Sequence, residues 1–464
     1  MNLAHHVRQL HLTTARLVAV MTLFSVTQPS ASHADGFRNP FQSGAASAQG
    51  NAFAAQADDA SAVFYNPAAM TQLQGVQLLG GVEFVNVDTH FENAAGEKTE
   101  NNLGGPFGMP PPMQFFVTAT PKDLGISWLG DLTAGFGLQS LFGFASKYPS
   151  NGPLQTAITS ASLPLLNIKP TLAYRFTDWL SLGLGGDIFT FWPAVVGEAQ
   201  QKFVSPGLPG IAAGDQVKIT GSGTTTGFNA SALVTLLRSR SRAPRVNFGF
   251  VYRSQSDLPL NGELSVNSMK VAKSQSSLHF PDSYTVGLAV WPLRDRESEW
   301  KIETDVDYVR WSTIRKLEFR FSNGVVLSTP QDWRNTVSFG VGTEYRRLKL
   351  SSHPDWDLAL RAGYNHSRTP VPDKNFNPAF PDSNVHVLSF GFGLTCRPGG
   401  KFLGLKDCGQ PDSENAHREN IGLDMAYQVL FLESRTVTGN PNPAVNGKYQ
   451  TINQALTFSL RVGF

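Results

Sequence analysis

The sequence predicts an all-β fold: a 14-stranded antiparallel transmembrane β-barrel plugged by a small N-terminal hatch. Three observations predict the barrel: the alternation of the last ten residues, an export signal at the amino end and a composition poor in charge. At the carboxyl end, Leu456, Phe458, Leu460, Val462 and Phe464 alternate with polar or small residues. A period of two that ends on an aromatic residue places one face of a strand against lipid and the other against water. A strand of a soluble β-sandwich shows the same alternation, so the other two observations are needed.

The amino end has the three parts of a cleavable secretory signal. Basic residues come first, an apolar stretch over 17–26 follows, and the small-residue stretch 30–34 closes the segment. We therefore expect a signal peptide over residues 1–34, with cleavage between Ala34 and Asp35. The alternative is an uncleaved membrane anchor, but the apolar stretch is too short to cross ~30 Å of hydrocarbon comfortably.

Composition narrows the class further. The 464 residues are 41% hydrophobic and 11% aromatic, and only 16% are charged. No segment after the signal has the roughly 18 consecutive apolar residues of a membrane helix. The apolar side chains must therefore be dispersed along alternating strands. A formal net charge of +2 and the absence of long basic runs give no indication of a nucleic-acid partner.

Alternating runs bounded by turn residues continue from about Gly75 to the carboxyl end, and we count fourteen of them. The predicted strands are 75–91, 113–120, 131–146, 168–177, 179–192, 224–237, 245–266, 281–291, 300–314, 333–346, 356–367, 385–396, 420–435 and 453–464. An even number returns both ends of the chain to one side of the membrane, as closed single-chain bacterial barrels require. Closure also leaves no unpaired strand edge in lipid. We assign residues 75–464 to this barrel.

The connections between the predicted strands alternate in length, which predicts the topology. Short polar joins such as 122–130 and 238–245 are expected in the periplasm. The long joins, expected to be extracellular loops, are 92–112, 147–167, 193–223, 267–280, 315–332, 368–384 and 436–452.

The two cysteines of the chain, Cys396 and Cys408, fall between the twelfth and thirteenth predicted strands, at the periplasmic end. Their proximity in sequence and an oxidising compartment predict a disulfide, worth about 3 kcal/mol in the loop-closure model. A redox role and two unpaired thiols are the alternatives, because a sequence does not give the Cα geometry that a disulfide needs.

Strand phase separates lipid-facing from lumen-facing side chains. Glu303, Asp305 and Asp307 alternate with apolar or aromatic residues, and Arg361 lies in a similar alternating run over 358–364. Five more charged residues are predicted to face inward: Arg175, Arg253, Arg334, Glu344 and Asp424. Paired carboxylates suit acid–base catalysis, but interleaved charges of both signs inside a barrel are more typical of cross-strand ion pairs.

Residues 35–74 differ in kind from the barrel. They are rich in Ala, Gly, Ser and Gln, and they show neither strand alternation nor the charge of a disordered tail. Short helices and turns folded into the lumen as a plug would fit this composition. A flexible periplasmic leader would fit it equally.

Eight motifs stand in a fixed order along the mature chain. They are Gly36-Phe37, Ala57-Asp-Asp-Ala60, Asn66-Pro67-Ala68, Phe280-Pro-Asp-Ser-Tyr-Thr-Val-Gly287, Asp307-Tyr-Val-Arg-Trp-Ser312, Leu360-Arg-Ala-Gly-Tyr364, Thr369-Pro-Val-Pro-Asp373 and Asp424-Met-Ala-Tyr427. Together they resemble the FadL family of outer-membrane transporters. The resemblance implies a bacterial outer-membrane location and a hatch that includes Asn66, Pro67 and Ala68. It also implies uptake of long-chain fatty acids or, as the alternative, of aromatic or aliphatic hydrocarbons.

The resemblance further implies a mechanism. An apolar substrate is captured among extracellular loops, passes to a tighter site in the lumen, is released when the hatch rearranges, and leaves sideways at a kinked third strand. Leu165 and Phe203 are apolar loop residues suited to capture, although packing within the loops explains them equally. Gly135, Gly137 and Gly143 mark the third strand as the place for a lateral opening, because glycine inside a strand often marks a bend.

One departure from the family pattern bears on the substrate. Fatty-acid members resemble one another in offering basic side chains near the ends of strands five and ten. Here Arg334 stands at the start of strand ten, but strand five ends with Phe189 and Trp192 and without a cation. A carboxylate needs a charge partner to offset desolvation, whereas a hydrocarbon prefers an aromatic wall. These three residues are candidate ligand contacts, and Lys202 and Lys218 are alternative cations.

Two other classes of protein are compatible with a barrel. An outer-membrane lipid hydrolase would need a nucleophile motif, and the sequence has no Gly-x-Ser-x-Gly. A general porin would have an open aqueous lumen, against which a plug argues. We expect no catalytic residues, no metal, no cofactor and no nucleic-acid partner. We expect a monomer that contacts outer-membrane lipid and binds a hydrophobic small molecule.

Overall fold

The computed structural model describes residues 35–103, 105–108, 111–194, 197–410 and 419–464. The predicted signal peptide, with its cleavage after Ala34, lies outside the described residues. Within these ranges no helix is long and apolar enough to cross a membrane.

A closed, 14-stranded antiparallel barrel forms the body of the protein, which confirms the predicted fold class. Its strands are β1 (Val76–Asn93), β2 (Met113–Ala119), β3 (Leu132–Gln139), β4 (Leu166–Arg175), β5 (Leu180–Thr190), β6 (Thr224–Arg238), β7 (Pro244–Arg253), β8 (Ser283–Arg294), β9 (Ser298–Val309), β10 (Thr336–Arg347), β11 (Trp356–Ser367), β12 (Val385–Cys396), β13 (Asn420–Leu432) and β14 (Gly447–Gly463). Neighbours in the chain pair with one another, and β1 pairs with β14 to close the wall. Closure satisfies the backbone of both terminal strands.

The alternation at the carboxyl end has the predicted phase. Thr457 and Ser459 on β14 face the lumen at 0% and 1% exposure, whereas Leu460 is 45% exposed on the outer face. The strand begins at Gly447, opposite Asn93 of β1, and therefore earlier than predicted. The added residues are mainly polar, so the apolar alternation used to place the strand does not reach them.

A second antiparallel sheet of eight strands covers the extracellular mouth of the barrel, and we refer to it as the extracellular sheet. Its strands are Ala145–Lys147, Ser160–Ser162, Ala199–Val204, Gln216–Gly221, Ser256–Val266, Met269–Phe280, Lys316–Phe321 and Val326–Pro330. Six of them lie in segments predicted as long extracellular loops, and the sequence did not predict the strands within those loops. The long connections pair with one another, which satisfies their backbone N–H and C=O groups away from the wall.

The predicted seventh strand is divided between the two sheets. β7 ends at Arg253, and Ser256–Val266 pairs with Met269–Phe280 in the extracellular sheet. Between them, the amide of Ser254 donates to the carbonyl of Phe228 at 2.9 Å. Both halves alternate in hydrophobicity, so the sequence pattern does not reveal where the chain leaves the wall.

The third strand also leaves the wall earlier than predicted. β3 ends at Gln139, and the chain then turns into the lumen. There the amide of Asn39 donates to the carbonyl of Leu141 at 2.6 Å, and the amide of Gly143 donates to the carbonyl of Phe37 at 2.9 Å. Backbone groups of the segment before β1 thus replace a neighbouring strand as hydrogen-bond partners.

The segment before β1 folds inside the barrel as a hatch. It contains two short helices, α1 (Gly44–Ser47) and α2 (Ala62–Tyr65), and a 3-10 turn at Pro67–Gln72. Ser43 caps α1, because its Oγ accepts from the amide of Ala46 at 3.2 Å. The many small side chains of the hatch are buried, so its backbone lies close to the wall.

Carboxylates on β9 bind the backbone of the hatch. Asp305 Oδ2 accepts from the amides of Phe53 and Ala54, each at 2.9 Å, and Glu303 Oε1 accepts from the amide of Ala55 at 2.6 Å. Glu303 is fully buried, and Asp305 is 6% exposed. Buried carboxylates and buried amides are each costly when unpaired, so wall and hatch satisfy each other.

Several other charges of the lumen form cross-strand ion pairs, as the interleaved pattern predicted. Arg361 on β11 lies 2.6 Å from Glu344 on β10 and 2.6 Å from Asp424 on β13. Asp424 also lies 2.5 Å from Arg461 on β14. These side chains are largely buried and hold opposite charges in contact, between neighbouring strands or, for Arg361 and Asp424, across the intervening β12.

Cys396 and Cys408 form a disulfide in the structure. Both are almost fully buried, and they pack with Ile421 in a small cluster at the periplasmic end, against Trp356 and Phe402. The bridge closes the connection between β12 and β13.

The hatch approaches the wall most closely at glycine positions, of which Gly363 on β11 is an example. A Cβ there would lie 2.1 Å from the backbone C of Gln49 and 2.3 Å from the N of Gly50. Both are backbone atoms, so no side-chain rotation relieves the overlap. Gly80 on β1, by contrast, has nothing within 4 Å of such an atom.

We expect Gly363→Ala to displace the hatch while the barrel still folds. Overpacking of this kind costs about 1–3 kcal/mol. Single-channel conductance in planar bilayers should therefore rise, and thermal unfolding should occur at a lower temperature. Gly80→Ala is the matched control and should change neither quantity. Unchanged conductance in Gly363→Ala would contradict the contact.

Candidate ligand-binding site

A cavity lies between the extracellular sheet and the mouth of the barrel, and we refer to it as the upper cavity. The space within it that water-sized molecules can reach is about 110 Å³. Most of the wall is apolar and includes Ala199, Ile219, Leu260, Leu278 and Leu317. A concave, mainly apolar surface of this kind is typical of sites for hydrophobic small molecules.

The floor of the upper cavity is aromatic and includes Phe37 of the hatch. The ring centroid of Phe37 lies 5.7 Å from that of Trp333, 6.3 Å from that of Phe144 and 6.3 Å from that of Phe380. Phe37 is buried, as are Trp333 and Phe380. Because only Phe37 belongs to the hatch, movement of the hatch would open this floor.

A second and much smaller cavity, the lower cavity, lies on the lumen side of the floor, and the space that water-sized molecules can reach there is about 20 Å³. The stacked rings of Phe142 and Phe280, with centroids 4.4 Å apart, line it. The Phe37 ring lies 5.7 Å from Phe142 and 6.1 Å from Phe280. These three rings therefore form a partition between the two cavities.

The basic side chains at the upper cavity already have carboxylate partners. Lys316 Nζ lies 2.5 Å from Glu318 Oε2, and His279 Nδ1 lies 2.5 Å from Asp257 Oδ1. Among the described residues that line this cavity, these are the two basic ones. The upper cavity thus combines an apolar interior with a few charged groups that are paired.

Two of the predicted ligand contacts lie on strand five, and the structure separates them. Phe189 is 4% exposed and lines the lower cavity. Trp192 is 58% exposed and lines neither cavity. The prediction for Trp192 is wrong because this residue shares the outward phase of Leu184, which is 61% exposed on the lipid-facing side of β5.

Arg334 was predicted to face inward, and this is also wrong. It is exposed and lines neither cavity, while its neighbour Trp333 is 4% exposed and lines the upper cavity. β10 begins only at Thr336, and Asp332 has a left-handed backbone with φ of 46°. The strand alternation therefore does not extend to Arg334.

The apolar loop residues pack within the protein. Phe203 joins a cluster in the extracellular sheet with Val217 and Phe321 and does not line the upper cavity. Leu165 is 1% exposed in the main core, and its carbonyl accepts from Ser140 Oγ at 2.9 Å. Leu163, two residues before it, does line the upper cavity. Neither Phe203 nor Leu165 is part of that surface.

The strand glycines do not bend the wall where a lateral opening was predicted. Gly135 and Gly137 lie in ladders that run without a register shift on both sides of β3. A Cβ at Gly135 would lie 2.5 Å from Met70 Sδ, so this glycine admits a hatch side chain. Gly143 lies in the stretch that turns into the lumen after Gln139. The wall therefore breaks after Gln139, not at Gly135 or Gly137.

Asn66 forms hydrogen bonds both within the hatch and to the barrel wall. Its Nδ2 donates to the carbonyl of Ala54 at 2.7 Å and to the carbonyl of Ala232 on β6 at 3.2 Å. Its Oδ1 accepts from the amide of Ala68 at 3.1 Å. Pro67 between them begins the 3-10 turn, where its missing N–H leaves no donor unpaired.

Sequence reasoning missed most of the aromatic floor. Phe144, Trp333 and Phe380 come from three distant segments, and no local pattern links them. The sequence contained a signal for Phe37 as a functional residue, because it is an aromatic residue at the start of a segment of mostly small residues. Arg334, which was predicted as a ligand contact, is the direct neighbour of Trp333 in the sequence.

A plugged 14-stranded barrel with an apolar cavity at its mouth defines a class, that of outer-membrane transport proteins. Residues 25–400 match the family model described as outer membrane protein transport protein (OMPP1/FadL/TodX). The chain belongs to this family and is a protein of the bacterial outer membrane. Members of the family are transport proteins, not enzymes.

Individual relatives agree with this assignment. A long-chain fatty acid transport protein of Escherichia coli is 23% identical over 415 residues, which cover 82% of this chain and 86% of the relative. The crystal structure of a Pseudomonas aeruginosa FadL homologue aligns with a TM-score of 0.70 at 17% identity, over 92% of this chain and 100% of that one. The Ralstonia pickettii toluene transporter TbuX aligns with a TM-score of 0.58 at 16% identity, over 90% and 98%. At these identities the two structures show a shared fold.

We expect Asn66→Ala to leave the barrel folded and to reduce uptake of substrate by loosening the hatch. The change leaves the buried carbonyl of Ala54 without this donor, at a cost of about 1–3 kcal/mol. The control is Asn442→Ala, because Asn442-Pro443-Ala444 repeats the tripeptide in an extracellular connection, with the amide of Ala444 3.1 Å from Asn442 Oδ1. Undiminished uptake by Asn66→Ala at normal surface expression would contradict the anchoring role.

Asp382, in the connection between β11 and β12, ties the start of the hatch to the extracellular loops. Its Oδ2 accepts from the amide of Gly36 at 3.3 Å and from Thr369 Oγ1 at 2.6 Å. The side chain is 1% exposed. Burial raises the pKa of Asp382 to about 8, well above its ordinary value of 3.8.

This raised pKa predicts a pH dependence. The folded protein holds the proton on Asp382 more tightly than the unfolded chain, so the stabilisation is complete below pH 3.8 and is lost as pH rises to about 8. As pH rises from 3.8 to about 8, the melting temperature of Asp382→Asn should therefore fall less than that of the unaltered protein. Asp373→Asn, at an exposed carboxylate in the same connection, is the control. A profile for Asp382→Asn that parallels the unaltered protein would contradict the prediction.

Proposed function

We propose that this protein takes up hydrophobic compounds through the outer membrane and that long-chain fatty acids are its substrates. The single observation that carries the proposal is the aromatic floor of the upper cavity, part of which belongs to the hatch through Phe37. An apolar ligand on this floor competes with the ring contacts that hold Phe37 in place. Binding at the mouth is thereby coupled to release of the hatch.

The arrangement of the cavities supports a path. A substrate first enters the upper cavity from the extracellular side, among the strands of the extracellular sheet. Displacement of Phe37 then frees the stacked pair Phe142 and Phe280, and the upper cavity becomes continuous with the lower one. We place the sideways exit at the break in the wall after Gln139, where the chain turns into the lumen.

The extent of the apolar lining favours a long chain over a single ring. The lining comes from several separate segments, including Ala161, Leu260, Leu317 and Ala379. An acyl chain can contact more of this surface than a single aromatic ring can. The E. coli relative named a long-chain fatty acid transport protein supports the same choice.

One observation favours a second candidate, uptake of aromatic or aliphatic hydrocarbons. Arg334 lines neither cavity, and the basic groups at the upper cavity are paired with Glu318 and Asp257. A carboxylate in the upper cavity would therefore compete with protein carboxylates, whereas an uncharged hydrocarbon would not. The relative named a toluene transporter is compatible with this alternative.

A general porin is disfavoured by the position of the hatch. Residues of α1, α2 and the 3-10 turn are buried within the barrel and bonded to its wall. A lumen filled in this way offers no continuous aqueous channel of the kind found in porins.

The test is uptake of labelled oleate and labelled toluene, side by side, in cells that lack their own transporter for hydrophobic compounds. We expect oleate uptake by the unaltered protein and a several-fold reduction in Ala379→Trp, because Ala379 is 3% exposed and lines the upper cavity. Ala95→Trp, at an exposed loop position, is the control. Toluene uptake with little oleate uptake would favour the second candidate, and uptake of neither would overturn the proposal.

A further inference from the structure

The connection between β12 and β13 contains a short hairpin that the disulfide fastens to the barrel. Its two arms, Lys401–Phe402 and Lys406–Asp407, pair antiparallel, and we refer to residues 401–407 as the stapled hairpin. The bridge joins Cys396, the last residue of β12, to Cys408, which directly follows the second arm. The stapled hairpin is therefore held close to the periplasmic end of the wall.

The disulfide leaves the wall on its outer, lipid-facing side. Cys396 stands opposite Trp356 of β11 and opposite Ile421 of β13. Ile421 in turn stands opposite Val462 of β14. Val462 shares the phase of Leu460, which is exposed on the outer face. These four side chains form a row across the outer face at its periplasmic edge, so the bridge starts from the surface that meets lipid.

The body of the stapled hairpin packs against this outer face. The ring of Phe402 stacks on that of Trp356, with centroids 5.9 Å apart and an angle of 26° between the ring planes. Phe402 and Trp356 cover the buried disulfide between them. Aromatic residues gather where the wall of a barrel meets the lipid head groups. The stapled hairpin thus lies outside the barrel, at the level of the membrane interface.

The tip of the stapled hairpin is apolar and exposed. Leu403 is 73% exposed and Leu405 is 89% exposed. Among the residues that the structure describes, no other large apolar side chain is more exposed than that of Leu405. Neither leucine belongs to the cluster around the disulfide. Packing within the protein therefore does not account for these two side chains.

The backbone of the turn does not account for them either. Leu403 and Gly404 both have a left-handed backbone, with φ of 50° and 71°. The amide of Leu405 donates to the carbonyl of Phe402 across this turn at 3.0 Å. Glycine, asparagine and aspartate are preferred at such positions, whereas a bulky apolar residue is rare there. A leucine held in this conformation at an exposed tip points to a role outside the fold.

The charges beside the tip match a phospholipid surface. Lys401 and Lys406, one on each arm, are exposed. Lys401 lies 3.9 Å from Asp407, and because both side chains are largely exposed this ion pair is weak. A lysine at a membrane interface lays its alkyl chain along apolar groups and keeps its ammonium at the polar surface. Two leucines in front of two lysines can therefore meet acyl chains and phosphate groups together.

We propose that the stapled hairpin binds phospholipid of the periplasmic leaflet, with Leu403 and Leu405 inserted among the acyl chains and Lys401 and Lys406 at the phosphate groups. Phospholipid is the partner because the hairpin continues the lipid-facing surface of the wall. Insertion removes the two leucines from water. The hairpin lines neither cavity, so this contact fixes the depth of the β12–β13 end in the membrane and does not depend on the transported compound.

The test places one spin label on the tip of the hairpin in the full-length protein. The two cysteines of the chain are bonded to each other and buried, so Leu405→Cys supplies a single reactive thiol. The labelled protein is reconstituted in vesicles of phosphatidylethanolamine and phosphatidylglycerol. Collisions of the label with oxygen, which concentrates in lipid, are then compared with collisions with a water-soluble nickel chelate.

We expect the ratio of oxygen to nickel collisions at Leu405→Cys to be several-fold higher than at Ala95→Cys, an exposed position in an extracellular connection. Leu403→Cys should agree with Leu405→Cys. A ratio equal to that at Ala95→Cys would place the tip in water and overturn the proposal. Low collision rates with both reagents would show that protein covers the tip, and this result would also overturn it.

A second comparison tests the lysines. In the Leu405→Cys background, Lys401→Gln with Lys406→Gln should lower the ratio several-fold in the same vesicles, because the tip loses its attraction to the phosphate groups. The matched control is Lys98→Gln with Lys270→Gln, at two exposed lysines on the extracellular side, and it should leave the ratio unchanged. An unchanged ratio in the Lys401 and Lys406 variant would overturn the phosphate contact.

Discussion

The hydrogen bonds between the hatch backbone and the carboxylates of β9 are the interaction on which the rest of the structure depends. A barrel of this size would otherwise enclose unpaired lumen charges and a water-filled channel. Asp305 and Glu303 accept from consecutive amides of the hatch, and in doing so they fix its position against the wall. Phe37 is placed by the same chain, so the floor of the upper cavity follows from this contact.

The two cavities share one movable boundary. Phe37, Phe142 and Phe280 come from the hatch, from the inward turn after β3 and from the extracellular sheet, and each ring contacts the other two. The inward turn is itself bonded to the hatch backbone at Leu141 and Gly143. A ligand that moves Phe37 therefore disturbs both the partition and the break in the wall. Aromatic contacts of this kind are individually weak, which suits a boundary that must open.

Much of the wall could be predicted because barrel strands obey a local rule. Alternation gave the phase of β14, the inward position of Asp305 and Glu344, and the number of strands. The rule failed at the positions where the chain leaves the barrel wall. The predicted third and seventh strands run past Gln139 and Arg253, because the segments beyond them also alternate while pairing with the hatch or the extracellular sheet.

By itself, the sequence determined the barrel and most strand phases, because both depend on the order of polar and apolar residues along one stretch of chain. For residues 35–74 its composition fitted a plug and a periplasmic leader equally, and the hydrogen bonds to the wall decided for the plug. Only the tertiary structure decided the site. Trp333 rather than Arg334 lines the upper cavity because a left-handed turn at Asp332 interrupts the alternation. Phe37 and Phe280 meet across more than two hundred residues of chain. Such contacts depend on where whole segments pack against one another, and the local order of polar and apolar residues does not predict this packing.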